Sequence, residues 1–155
     1  MSNCHTELCF EFPLPEEAAK IAIELNDLIE SYSRAIFHTT PTVENNPLFK
    51  EIMTKNPDVG VYTGCSCEYI DGKLRVETKD DNANVEMLSY IMQVVLKEFN
   101  INTVCGIEWS QHCSRHIPGG FGGGLAIVTK DNIQNFTTHE MFMKATTVQE
   151  EPKCS

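Results

Sequence analysis

Five of the nine glycines fall between Gly119 and Gly124, in a segment that reads W-S-Q-H-C-S-R-H-I-P-G-G-F-G-G-G from Trp109 onward. No other feature constrains the fold as much. A linker would be polar on both sides, whereas this run lies between two apolar, strand-like stretches, Thr103–Trp109 and Leu125–Thr129. It therefore belongs inside a sheet domain, as a specialised turn between strands or as a lined binding loop. Glycine serves either purpose, because without a Cβ it lets another group come close to the main chain.

The rest of the chain supplies the elements around it. Leu8, Phe10 and Phe12 alternate with Cys9 and Glu11, which predicts a short strand with one buried face, ended by Pro13 and Pro15. Pro15, Glu16 and Glu17 suit the first turn of a helix. Ile21, Leu25, Leu28/Ile29, Tyr32 and Ile36 then recur at helical spacing and give one apolar stripe ending near Phe37. The turn-rich stretch His38–Asp58 holds one short helix around Leu48–Lys55. Val59–Glu68 and Lys73–Thr78 flank Asp71-Gly72, a two-residue hairpin signal that sets Tyr69 opposite Leu74, Cys67 opposite Val76 and Cys65 opposite Thr78. Asn84 caps a second long helix on Val85, Leu88, Ile91/Met92, Val95, Leu96 and Phe99, and Asn100 ends it. Strands Thr103–Ser110 and Leu125–Lys130 enclose the glycine segment. After a turn at Asp131-Asn132 come a short strand Ile133–Thr137 and a last helical turn or two over His139–Ala145.

The order β-α-β-β-α-β-β predicts an α+β chain of the ferredoxin-like kind, a two-layer sandwich with two helices on one face of an antiparallel sheet. One domain is expected over 1–147, with a polar tail over 148–155. The sheet's other face collects Glu11, Glu68, Arg75, Glu77 and Glu108.

Charge narrows the function classes. With 22 acidic against 12 basic residues the chain carries −10, which argues against nucleic acid and anionic membrane surfaces as partners. The seven cysteines are odd in number and lack framework spacing, so they read as reduced thiols. Together with an N-terminus without a basic or apolar leader pattern, they point to a cytoplasmic protein.

Glu108-Trp109, Cys113-Ser114-Arg115, Pro118-Gly119 and Phe121-Gly122-Gly123-Gly124, with an F-x-F-P-x-x-E-E-A pattern over Phe10–Ala18, carry a resemblance. The segment resembles a group of short uncharacterised bacterial and phage proteins with the pattern E-W…C-S-[KR]-x-x-P-G-x-F-G-G-G, and departs from it at His116 and Ile117. The resemblance implies a bacterial or phage origin and no particular activity.

Three chemistries suit the glycine segment. As an anion or nucleotide loop, the amides of Gly119, Gly120, Gly122, Gly123 and Gly124 form a concave donor array, joined by Arg115, Ser110 and Ser114. As a zinc site it would use His112, Cys113 and His116, although the spacing is not that of paired zinc ligands. As an enzyme it would use Cys113 as nucleophile with His116, His139 or His5 as base. The architectural alternative is a bent strand connection with Phe121 plugging the core and Trp109 packed beneath the second long helix. The reading adopted is a small binding module, not an enzyme, without metal or cofactor. Its ligand is a small anion at 113–124, or alternatively another protein on the open sheet face, and a homodimer is allowed for.

Overall fold

A computed structural model of the protein describes residues 4–35, 46–79 and 82–150. Of the sequence-based expectations, the helix end near Phe37, most of the turn-rich stretch before Asn46, and Cys154 lie outside the described residues.

Strand β1 (Cys4–Pro13) leads into helix α1 (Glu16–Ala35), which begins on two acidic residues. The buried line of α1 runs through Ala18, Ala19, Ala22, Leu25, Asn26 and Ile29, while Ile21, Leu28 and Tyr32 are half-buried at its margin. The stripe is thus turned from the one that large apolar residues predict. The reason is size: alanines at 0–1% exposure let the helix backbone lie close against the sheet.

Helix α2 (Pro47–Lys55) is capped by Asn46, whose side-chain oxygen accepts from the amides of Leu48 and Phe49. Strands β2 (Cys65–Ile70) and β3 (Lys73–Thr78) form the expected hairpin with the expected register. Asp71 and Gly72 have φ of 52° and 79°, the left-handed pair that a type I′ turn requires. Strand β2 starts at Cys65, not at Val59. Its approach is held instead by side chains of α1: the amides of Thr63 and Gly64 donate to Glu30 Oε1 at 3.1 and 2.7 Å. Asn26 Nδ2 donates to the Cys65 carbonyl at 3.0 Å.

Helix α3 (Val85–Glu98) is capped by Asn84 and buries Met87, Leu88, Ile91, Met92, Val95 and Leu96. It stops where Asn100 takes φ 51°. Strand β4 (Cys105–Cys113) pairs with β5 (Phe121–Val128), which pairs with β6 (Ile133–Thr137), and helix α4 (Thr138–Glu150) closes the described chain. The last helix runs past residue 148, so the expected tail boundary moves outward.

The structure is α+β with a six-stranded antiparallel sheet in the order β2-β3-β1-β4-β5-β6. Its element order, β-α-α-β-β-α-β-β-β-α, differs from β-α-β-β-α-β-β. The short helix forms an element of its own, and a third C-terminal strand and a fourth helix extend the chain. One continuous core lies between the sheet and helices α1 to α3, built from Leu8, Phe10, Phe12, Leu74, Val76, Ile107, Ala126 and Val128 against the helix stripes. Each large apolar side chain so buried contributes about 1.5–3 kcal/mol.

Strand β1 does not pair uniformly. Its first half, Cys4–Leu8, is laddered to β4, and its second half, Cys9–Pro13, to β3. At the hand-over the Thr78 hydroxyl takes up the Leu8 main chain, accepting from its N–H at 2.8 Å and donating to its carbonyl at 3.2 Å.

Candidate functional site

The glycine run is a strand more than a loop. Strand β4 continues to Cys113 and β5 begins at Phe121, so Gly122, Gly123 and Gly124 stand opposite Gln111, Ser110 and Trp109 within the ladder. Only Ser114–Gly120 connects the two strands. There Ile117-Pro118-Gly119-Gly120 makes a tight turn, with Gly119 at φ 76° and the Gly120 N–H donating to the Ile117 carbonyl at 3.0 Å.

What the glycines permit is close approach. A Cβ built on Gly124 would lie 2.5 and 2.6 Å from Cζ2 and Cη2 of Trp109, so the indole ring lies directly across that residue. Trp109 is half-buried against the core by this contact. Phe121, by contrast, is 59% exposed and plugs nothing. It follows the alternation of β5, in which Ala126 and Val128 face inward and odd-numbered residues face outward.

The residues expected to gather around an anion are therefore spread out. Ser110 lies on the open face of β4, Ser114 and Arg115 are exposed in the connection, and Gly122–Gly124 lie in the ladder. Gly120 is turned inward, its carbonyl accepting from the Cys113 N–H at 2.8 Å.

Cys113 needs a plain correction: it forms a disulfide with Cys4. The two face each other directly in the β1–β4 ladder, with Cα atoms 4.1 Å apart, and are separated by 109 positions in sequence. A disulfide sulfur is neither a thiolate nucleophile nor a metal ligand. The expectation of seven free thiols fails for this pair, and the cytoplasmic reading loses the support it drew from them. Because the pairing is long-range, nothing in the local sequence around either cysteine announces it.

The histidines diverge as well. His112 lies opposite His5 with ring centroids 5.1 Å apart, and His116 stands 5.8 Å from the ring of Phe121. Among the described residues no group of three His, Cys, Asp or Glu side chains is placed to hold a metal ion. Burial pushes the thiols of Cys65, Cys67 and Cys105 up to about 12, so they stay protonated and unreactive at neutral pH. Cys9 is the exposed thiol among the described cysteines.

A different site emerges on the open face. Where β1 passes from β4 to β3, a shallow hollow of 590 Å³ is lined by Glu7, Cys9, Glu77, Thr78, Glu108 and Ser110. Glu11 and Glu68 flank Arg75 in the adjoining register. Strand β1 begins at Cys4 and not at Leu8, so the outward alternation of Cys9 and Glu11 extends one step further, to Glu7. Beyond the carboxylates, the register of β5 and β6 sets Leu125 beside Phe136 on the same face, and Phe136 is 37% exposed. Helix α4 then carries Met141, Phe142 and Met143 at 61, 65 and 50% exposure.

Compared with known proteins, the chain matches no family model, no curated protein and no solved structure, so the site is read from its own geometry. No helix among the described residues is long and apolar enough to cross a membrane.

Proposed function

We propose that the protein is a binding module whose working surface is the open face of the sheet, where it docks a basic, partly apolar segment of another protein. The observation that carries this reading is the hollow at the β1 hand-over. Three carboxylates, Glu7, Glu77 and Glu108, surround a thiol and a serine there, with Leu125 and Phe136 following on the same face. Charge selects the partner. A second copy of a −10 chain would bring carboxylates against carboxylates, whereas lysine or arginine side chains complement them and speed encounter.

The strand order β2-β3-β1-β4, with α1 and α3 over the buried face, supports a ferredoxin-like core to which β5, β6 and α4 are added. The likeness of 108–124 to short bacterial and phage proteins fits a small module of this size. A small anion at Arg115 draws less support, since Gly122–Gly124 are taken up in strand pairing.

The test is a titration of the isotope-labelled chain with an amphipathic Lys/Leu peptide. Shifts should centre on Glu7, Cys9, Glu77 and Glu108 and weaken as salt rises. Glu77→Lys with Glu108→Lys should weaken binding by about tenfold or more. Glu16→Lys with Glu24→Lys, an equal charge change on the helical layer, should leave it nearly unaltered. If the two double variants weaken binding equally, only net charge is being sensed and the reading fails.

A further inference from the structure

At the far end of the β4–β5 hairpin from the glycine turn lies a second depression, of 240 Å³, between α2, α3 and the β5–β6 turn. Its floor is apolar, from Ile52 and Val94, and three lysines stand around it: Lys55 ends α2, Lys97 lies in the last turn of α3 and Lys130 follows β5. In a chain with 12 basic residues against 22 acidic ones, three ammonium groups on one small cleft are a local reversal. We propose that this cleft is a binding site for a small organic phosphate, with the phosphoryl group held by Lys55, Lys97 and Lys130 and the organic part resting on Ile52 and Val94.

Two features separate this arrangement from lysines that merely finish helices. First, at both helix ends there are carbonyls satisfied by donors other than the lysines. Ile52 O accepts from the Asn56 amide N–H at 3.2 Å and from Asn56 Nδ2 at 3.0 Å. Val95 O and Leu96 O accept from the N–H groups of Phe99 and Ile101 at 3.1 and 2.8 Å. These carbonyls do not need the ammonium groups as caps. Second, one internal carboxylate already draws two of them together. Glu51 Oε1 lies 2.6 Å from Lys55 Nζ and 3.9 Å from Lys97 Nζ. Lys130 comes from a turn and donates to a neutral group, Asn100 Oδ1, at 2.8 Å. A lone carboxylate so placed occupies part of what a dianionic phosphoryl group would fill. Asp131 also lines the cleft, so its fixed charges come to three positive against two negative.

The proposal is independent of the open-face reading, because no residue is shared between the two sites. It is tested on the full chain with inorganic pyrophosphate as probe, following thermal stabilisation and amide shifts against sodium chloride of equal ionic strength. Stabilisation by pyrophosphate beyond that of the salt, with shifts at Lys55, Lys97 and Lys130, is expected. Lys97→Gln with Lys130→Gln should raise the dissociation constant by about tenfold or more. Removing the internal competitor should act the other way: Glu51→Gln should tighten binding, while Glu16→Gln, the same charge change on α1, should not. Three results would overturn the inference: chloride matching pyrophosphate, the lysine pair proving dispensable, or Arg115→Gln abolishing the effect and so moving the anion to the glycine turn.

Discussion

Two hairpins of the sheet, β2–β3 and β4–β5, are built by opposite means. In β2–β3 a two-residue turn with φ of 52° and 79° fixes which residue faces which, from Ile70–Lys73 to Cys65–Thr78. In β4–β5 the seven residues Ser114–Gly120 leave several registers open, and the observed one is held from outside the connection. The Cys4–Cys113 bond fastens one strand to β1, and the Trp109 ring laid across Gly124 fixes its position against the next strand. A local turn specifies a hairpin by its own backbone; a long one borrows its specification from tertiary contacts.

The sharpest way to break that contrast is to remove the disulfide. It closes a separation of 109 positions, for which chain entropy gives a stabilisation of about 4–5 kcal/mol and measured disulfides give about 2–5 kcal/mol. Reduction, or Cys113→Ser, should lower the denaturation midpoint accordingly. An unchanged midpoint would mean that β4–β5 specifies itself after all. Next in size is Gly124→Ala, whose methyl group would meet the Phe136 carbonyl of β6 as well as the Trp109 ring. Overpacking of this kind costs about 1–3 kcal/mol, and near-UV circular dichroism should report the displaced indole.

Gly72→Ala tests the other hairpin. With φ at 79° the alanine is strained by about 1 kcal/mol, but the register should survive, visible as unchanged cross-strand contacts between Cys67 and Val76. A slipped register would show that this turn does not act alone.

The smallest effect concerns the approach to β2. Burial works to raise the Glu30 carboxyl, but hydrogen bonds from Thr63 and Gly64 and the charge of Lys79 outweigh it and hold the group below the usual carboxylate range. A carboxyl lowered in the fold contributes stability above its unfolded value near 4.5. That contribution fades as pH falls through the lower folded value. Urea midpoints measured from pH 6 down to pH 3 should fall more in the parent than in Glu30→Gln. Parallel curves would remove Glu30 from the account.

Legibility in the sequence follows the same division. Asp71-Gly72, the Asn84 cap and the alternation of Leu8, Phe10 and Phe12 act over a few residues, and each was readable. The buried line of α1 was not, because alanine carries too little hydrophobicity to mark a stripe and shows its role only when the sheet lies against it. The role of Glu30 has no local signal, because Thr63 and Gly64, which donate to it, lie more than thirty positions away. The disulfide, the hollow at Cys9 and the lysine cleft each join residues from different parts of the chain, so they exist only once the strand order is known.

The bond between Cys4 and Cys113 also divides the chain mechanically. Everything from β1 to β4 lies inside a covalent ring, while β5, β6 and α4 hang outside it although Ala126 and Val128 fill the same core. A molecule stretched by its two ends carries the load through the sulfur atoms and not through α1, α2 or α3. The outer strands peel away in sequence, and the ring keeps its contour hidden until the bond is reduced.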